Sequence, residues 1–187
     1  MSSRTIHNPK QGDTATFLAT ANETRGDHTL IEIDVNAGGG APEHYHTEFD
    51  EEIIAIDGPI KVTVEGRVLI LQPGERYTVP RGVRHSWKNA EATSARFQAR
   101  LTPGHTGFEN FLRVVYGLGR DDKLSPAGMP KDFSALALVV RWGDTNLPGP
   151  LSLLNPVLRW KARQAEKSGL GQQLLSRYEG ELPSSRA

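Results

Sequence analysis

The stretch GGGAPEHYHTEFDEEIIAIDG, residues 38–58, decides the fold together with GERYTVPRGVRHSWKN, residues 74–89. His44 and His46 are two positions apart, so on an extended segment both imidazoles face the same side. Glu51 follows after the short turn at 47–50, where the next strand can return its carboxylate beside them, and His85 must arrive from another strand. Three imidazoles and one carboxylate are natural ligands for a divalent transition metal. Glu48 and Glu52 are alternative carboxylates, although the spacing from His46 to Gly58 favours Glu51. From Glu43 to Asp57 there are six acids and neither Lys nor Arg, a local field that favours a cation.

Working outward, the chain has the grammar of short strands and turns. Ala15, Phe17 and Ala19 alternate with polar neighbours, as do Ile31, Ile33 and Val35, which predicts strands with one buried face. Ile60, Val62 and Val64 turn at Glu65-Gly66 into a partner strand, a hairpin signal. Val83, His85, Trp87 and Asn89 share one parity, and Ala95, Phe97, Ala99 and Leu101 share another. Many short strands separated by turns predict a sandwich or barrel over residues 13–103, preceded by a polar arm, residues 1–12.

Beyond Pro103-Gly104 the period changes. Phe108, Phe111, Leu112, Val115 and Tyr116 form one helical stripe that stops near Gly117 or Gly119. Asp132 is placed to cap a second helix, Asn155-Pro156 to begin a third, and Leu170, Leu174, Leu175 and Tyr178 indicate a fourth. Residues 104–187 therefore read as a helical C-terminal extension packed on the barrel. Arg159, Lys161, Arg163 and Lys167 read as the solvated face of a helix whose packed stripe holds Leu153, Leu154, Val157, Leu158 and Trp160, with a membrane-surface or acidic-partner patch as the alternative. Gly143-Asp144-Thr145-Asn146 reads as a turn that simply ends a helix.

Composition narrows the functional classes. The 187 residues carry 22 Lys plus Arg and 22 Asp plus Glu, so no charge excess points to nucleic acid or a membrane surface. There is no cysteine, which removes disulfides and thiolate ligands from consideration. Residues 1–13 lack an apolar run of signal-peptide type, which predicts a cytoplasmic protein.

The two segments fill every defining position of the two cupin motifs. Gly38, His44, His46, Glu51 and Gly58 match G(x)5HxH(x)4E(x)6G, and Gly74, Pro80, Gly82, His85 and Asn89 match G(x)5PxG(x)2H(x)3N. With 15 residues between Gly58 and Gly74, the chain resembles small bacterial monocupins. That resemblance implies a mainly β, double-stranded β-helix (jelly-roll) barrel with His44, His46, Glu51 and His85 around one metal, Fe, Mn, Ni, Zn, Cu or Co. It also implies a homodimer formed through barrel strands.

A metal held by these ligands would act on a small molecule, and the first expectation is an oxidoreductase of dioxygenase type. Metal-dependent isomerisation needs an added base, for which Glu52 and Tyr77 are candidates. Trp87 shares the parity of His85, so it is a candidate for lining a substrate pocket, with a purely core role as the alternative. A sensor or storage barrel that binds a small molecule without chemistry is the reading from a different class.

Overall fold

A computed structural model describes residues 4–178; the first three residues of the arm and residues 179–187 of the extension lie outside the described residues. Two antiparallel sheets face one another as the expected jelly-roll. The larger has the order β1 (Thr5–Asn8), β2 (Asp13–Ala19), β3 (Thr29–Val35), β10 (Ala95–Thr102), β5 (Asp50–Asp57) and β8 (Arg76–Val79). The smaller has the order β4 (Gly40–His44), β9 (His85–Lys88), β6 (Ile60–Val64) and β7 (Arg67–Leu71). Part of the stretch read as a polar arm is thus a strand, because Ile6 buries its side chain while the backbone of Thr5–Asn8 pairs with β2.

Alternation decides which side chains meet between the sheets. Ala15 and Phe17, Ile31, Ile33 and Val35, Ile53 and Ala55, Ile60 and Val62, and Phe97, Ala99 and Leu101 are all buried, each separated by a neighbour that faces outward. At the chain reversals, Gly58 has a left-handed φ of 73°. A Cβ there would sit 3.2 Å from the Ala95 side chain, so both conformation and space call for glycine.

The helices are α1 (Thr106–Arg120), α2 (Phe133–Trp142), α3 (Asn155–Lys167) and α4 (Leu170–Tyr178), with a 3-10 turn at Gly149–Leu154. His105 caps α1 by accepting from the Phe108 N–H, and Asp132 caps α2 by accepting from the Ala135 N–H at 2.7 Å. Leu112, Val114, Val115, Tyr116 and Leu118 of α1 belong to the same apolar cluster as the barrel residues. Polar bonds fix this docking. Buried Glu109 accepts from Ala21 N–H and Thr29 Oγ1, both at 2.7 Å, and Tyr116 Oη donates to Asp13 at 2.6 Å. The Arg113 guanidinium lies 4.2 Å from the centre of the Phe17 ring.

One reading of the extension needs correction. On α3 the packed stripe is Leu158, Ala162 and Ala165, which meet Ala137 and Leu138 of α2. Small side chains on the packed face of α3 leave its larger apolar groups outward: Trp160 is 55% exposed and Val157 is also exposed, as are Leu153 and Leu154 on the preceding 3-10 turn. Among the described residues, no helix is long and apolar enough to cross a membrane.

Replacing Glu109 by Ala leaves two buried donors unpaired, which should cost about 2–4 kcal/mol. For a chain of this size the melting temperature should fall by roughly 5–15 °C. Differential scanning calorimetry checks this, and Glu109→Gln, which keeps an acceptor oxygen, should recover most of the loss.

Candidate metal centre

Four side chains converge between the sheets. His44 ends β4 and lies opposite His85, the first residue of β9; His85 in turn lies opposite Val64 of β6. Glu51 is the second residue of β5, and its parity with buried Ile53 and Ala55 turns it inward. His46 lies just past the end of β4, beyond the bridge at Tyr45, and its ring meets that of His44. One ligand atom from each of the four lies within 4.8 Å of the others, and all four residues are buried. The ring centroids of His44 and His85 are 4.4 Å apart, and those of His44 and His46 are 4.8 Å apart.

Each imidazole is oriented from its far side. His44 Nδ1 donates to the Pro42 carbonyl at 2.7 Å, His85 Nδ1 to the Val83 carbonyl at 3.1 Å, and His46 Nδ1 to the Asp144 carbonyl at 3.0 Å. A carbonyl only accepts, so in all three rings Nδ1 carries the proton and Nε2 is directed at the centre. His85 Nε2 lies 2.8 Å from Glu51 Oε2. His46 Nε2 is 3.6 Å from the same oxygen, beyond hydrogen-bond reach, and is a buried nitrogen without a partner. An unpartnered lone pair beside a buried carboxylate and two further imidazoles is the donor set a divalent transition metal takes.

Burial and neighbouring charge set the protonation states. Burial lowers the pKa of His44 to about 4, assisted by repulsion from the other two imidazoles. Burial pushes the Glu51 carboxyl up, but the adjacent His46 and His85 outweigh it and hold the group well below the ordinary glutamate range. Burial also pulls His85 down, yet its bond and charge interaction with Glu51 win and raise it. The pair is therefore a carboxylate facing an imidazolium, with neutral His44 alongside.

The other predicted residues lie elsewhere. Glu52 is on the opposite face of β5 from Glu51, with its carboxylate 3.9 Å from Arg76 on the outer surface. Glu48, the other alternative carboxylate, bonds His105 Nε2 at 2.7 Å. Tyr77 shares the inward parity of β8 with Val79, opposite Ile53, and packs against the apolar core. Trp87 packs its ring 4.6 Å from that of Phe97, also against the core. The structure thus brings together His44, His46, Glu51 and His85, and does not bring Glu52 to them.

The motif glycines and the asparagine act on backbone. Gly82, with a left-handed φ of 82°, donates its N–H to the His46 carbonyl and so ties the second segment to the first. Asn89 Nδ2 donates to the carbonyls of Val35, Asn36 and Thr93, closing the turn in front of β4.

The turn Gly143-Asp144-Thr145-Asn146 does more than end α2, and sequence reasoning missed this. The Asp144 carboxylate accepts from Thr47 N–H and Oγ1, from Glu48 N–H at 2.7 Å and from Asn146 Nδ2 at 2.9 Å. Tyr45 and Asn146 exchange backbone bonds of 3.0 and 3.2 Å. Aromatic rings complete this side. Buried Phe49 stacks on His46 with centroids 4.3 Å apart, and Phe108 of α1 lies 5.9 Å from His46 and 5.6 Å from Phe49.

Residues 31–101 match the family model of the cupin domain. The chain is 28% identical over 144 residues to the polyketide synthase CurC of Streptomyces cyaneus, covering 75% of this chain and 86% of that protein. It is 27% identical over 74 residues to quercetin 2,3-dioxygenase of Bacillus subtilis, covering 40% of this chain but only 22% of that protein. Among solved structures, KdgF from Halomonas sp. aligns with a TM-score of 0.49 at 18% identity, over 54% of this chain and 89% of that one.

In the metal-free protein His44 and His85 should titrate apart. His44 should stay neutral from pH 7.5 down to near pH 4, while His85 keeps its proton above the usual imidazole range. Ring 15N shifts recorded against pH check the order. Because the folded pKa of His44 lies below its unfolded value of 6.5, this residue should lower stability as pH falls from about 6.5 to about 4. The full effect is on the order of 3 kcal/mol.

Proposed function

For a chain whose barrel belongs to the cupin superfamily, we propose a metalloprotein that holds one divalent transition metal through His44, His46, Glu51 and His85. Its activity is that of a small-molecule oxidoreductase of dioxygenase type. The observation that carries the metal is the buried, unpartnered Nε2 of His46, directed at the same centre as the other three ligand atoms. Such a metal would supply Lewis acidity to an enolic or phenolic oxygen and, if iron or copper, redox chemistry.

The chain's own residues support this reading in three ways. The Nδ1–carbonyl bonds hold all three rings with Nε2 toward the ligand, so little reorganisation accompanies binding. Glu51 supplies the negative charge that a dication needs in a buried setting, and on binding the Nε2 proton of His85 leaves to solvent. Phe49 and Phe108 exclude water from the His46 side and so strengthen electrostatics within the site.

Redox chemistry is favoured over isomerisation because Glu52, one of the two candidate bases, faces the outer surface, while the other, Tyr77, packs against the apolar core. Oxygen-rich, enolisable compounds are the favoured substrates. Relatives named for quercetin dioxygenation and for polyketide synthesis support that class, since flavonols and β-diketones both present adjacent or conjugated oxygens.

Protein purified without added metal or chelator should contain close to one equivalent of iron, manganese, nickel, copper, zinc or cobalt by elemental analysis. His44→Ala/His85→Ala should contain none. With quercetin or acetylacetone, the loaded protein should consume dioxygen in an electrode chamber. Tight binding of these compounds without oxygen uptake would favour a non-enzymatic binding barrel, and absence of metal even after reconstitution would overturn the metalloprotein reading. Apparent metal affinity should weaken as pH falls, because protons compete for Nε2 of the histidines; competition with a chromophoric chelator between pH 6 and 8 measures the slope.

A further inference from the structure

We propose that Asp144, in the helical extension, is a positioning residue for the metal centre: it fixes the tautomer and ring orientation of His46 from outside the barrel. The inference rests on the metal reading above, although its first test does not. His46 differs from the other two histidines in the source of its support. His44 and His85 each donate to a carbonyl two residues earlier on their own segment. His46 lies past the end of β4 and donates to a carbonyl 98 residues away in sequence.

Asp144 grips this region with both of its oxygen-bearing groups. Its carbonyl accepts from His46 Nδ1 and from Asn146 Nδ2, both at 3.0 Å. Its carboxylate accepts from Thr47 N–H, Thr47 Oγ1, Glu48 N–H and Asn146 Nδ2. The carboxylate therefore holds the backbone immediately after His46, while the carbonyl holds the ring. The residue has a left-handed φ of 46°, a conformation that Asp tolerates better than most and Gly adopts freely.

Buried Asp144 is thus engaged by protein groups at every one of these bonds and is not a further ligand. Its effect on the centre passes through His46. Without the carboxylate, the chain at 46–48 loses three donor contacts, and the carbonyl is no longer held against the ring. His46 could then populate the Nε2–H tautomer, which presents a proton rather than a lone pair to a metal. Loss of such outer contacts typically weakens metal affinity by about 10–100-fold.

Asp144→Gly is the informative variant because it removes the carboxylate, keeps the carbonyl and imposes no backbone strain. In metal-free wild-type protein, two-bond 15N–1H correlation spectra should show His46 as a single Nδ1–H tautomer; in Asp144→Gly they should show a mixture. Apparent affinity for Co(II), by competition with a chromophoric chelator, should fall 10–100-fold and its visible absorption bands should shift. Asp144→Asn, with one acceptor oxygen left, should fall between the two. Arg141→Ala, which breaks the 2.7 Å pair with Glu166 on α3, should lower the melting temperature yet leave tautomer and Co(II) affinity unchanged. An unchanged tautomer with unchanged Co(II) affinity in folded Asp144→Gly would overturn the inference. A wild type that shows the tautomer but takes no Co(II) would instead overturn the metal reading beneath it, while a mixed wild-type tautomer would overturn the positioning role itself.

Discussion

The buried carboxylate of Glu51 is the constraint from which the rest of this site follows. A carboxylate removed from water needs compensation by charge or hydrogen bonds. In the metal-free chain the compensation is the imidazolium of His85, 2.8 Å away. His44 and His46 turn Nε2 lone pairs toward the same centre and add no hydrogen bond to the carboxylate, so acceptors outnumber donors there. This arrangement is poor for a resting core and suited to a cation. Barrel construction keeps it intact: the parity of β5 fixes the direction of Glu51, and the pairing of β4 with β9 places His44 opposite His85.

A metal site also depends on what stands behind its ligands. Two of the imidazoles take their support locally, because a strand that presents a histidine inward also presents a nearby carbonyl to its Nδ1. His46 has no such neighbour, since β4 has ended and the chain is turning toward β5. Two separate parts of the molecule meet that deficit. Gly82, in the second motif segment, holds the His46 carbonyl, and Asp144, in the extension, holds its ring.

Much of this could be read from the sequence, for a physical reason. Inward-facing residues on strands obey a period of two, and the glycines between them mark turns that few other residues can make, so spacing together with the match to the cupin motifs put His44, His46, Glu51 and His85 in one set, which the structure brings together. The jelly-roll followed from the same alternation, and the cap Asp132 and the proline-bearing first turn at Asn155-Pro156 announced their helices. Asp144 was not legible. Its role arises from contacts 96 to 98 residues away, and a polar turn after a helix carries no periodic signal of what it will touch. The apolar stripe of α3 was misread for a related cause: small alanines, Ala162 and Ala165, won the packed face over Trp160 and Val157, because close helix approach favours small side chains over large ones.

The extension is consequently part of the barrel's energetics as well as of its site. Its α1 residues share one apolar cluster with the sheets, and Glu109 satisfies donors on two barrel segments, Ala21 and Thr29. The same helix places Phe108 against Phe49 and His46, while the turn after α2 fastens residues 45–48. A local opening that freed His46 would have to separate rings packed between barrel and extension and break the Asp144 bonds in the same event. Such an opening costs more than fraying of an exposed loop, because buried polar groups would lose partners at the moment apolar surface is exposed. Residues 45–48, polar and turn-like in sequence, are therefore held from both the barrel and the extension.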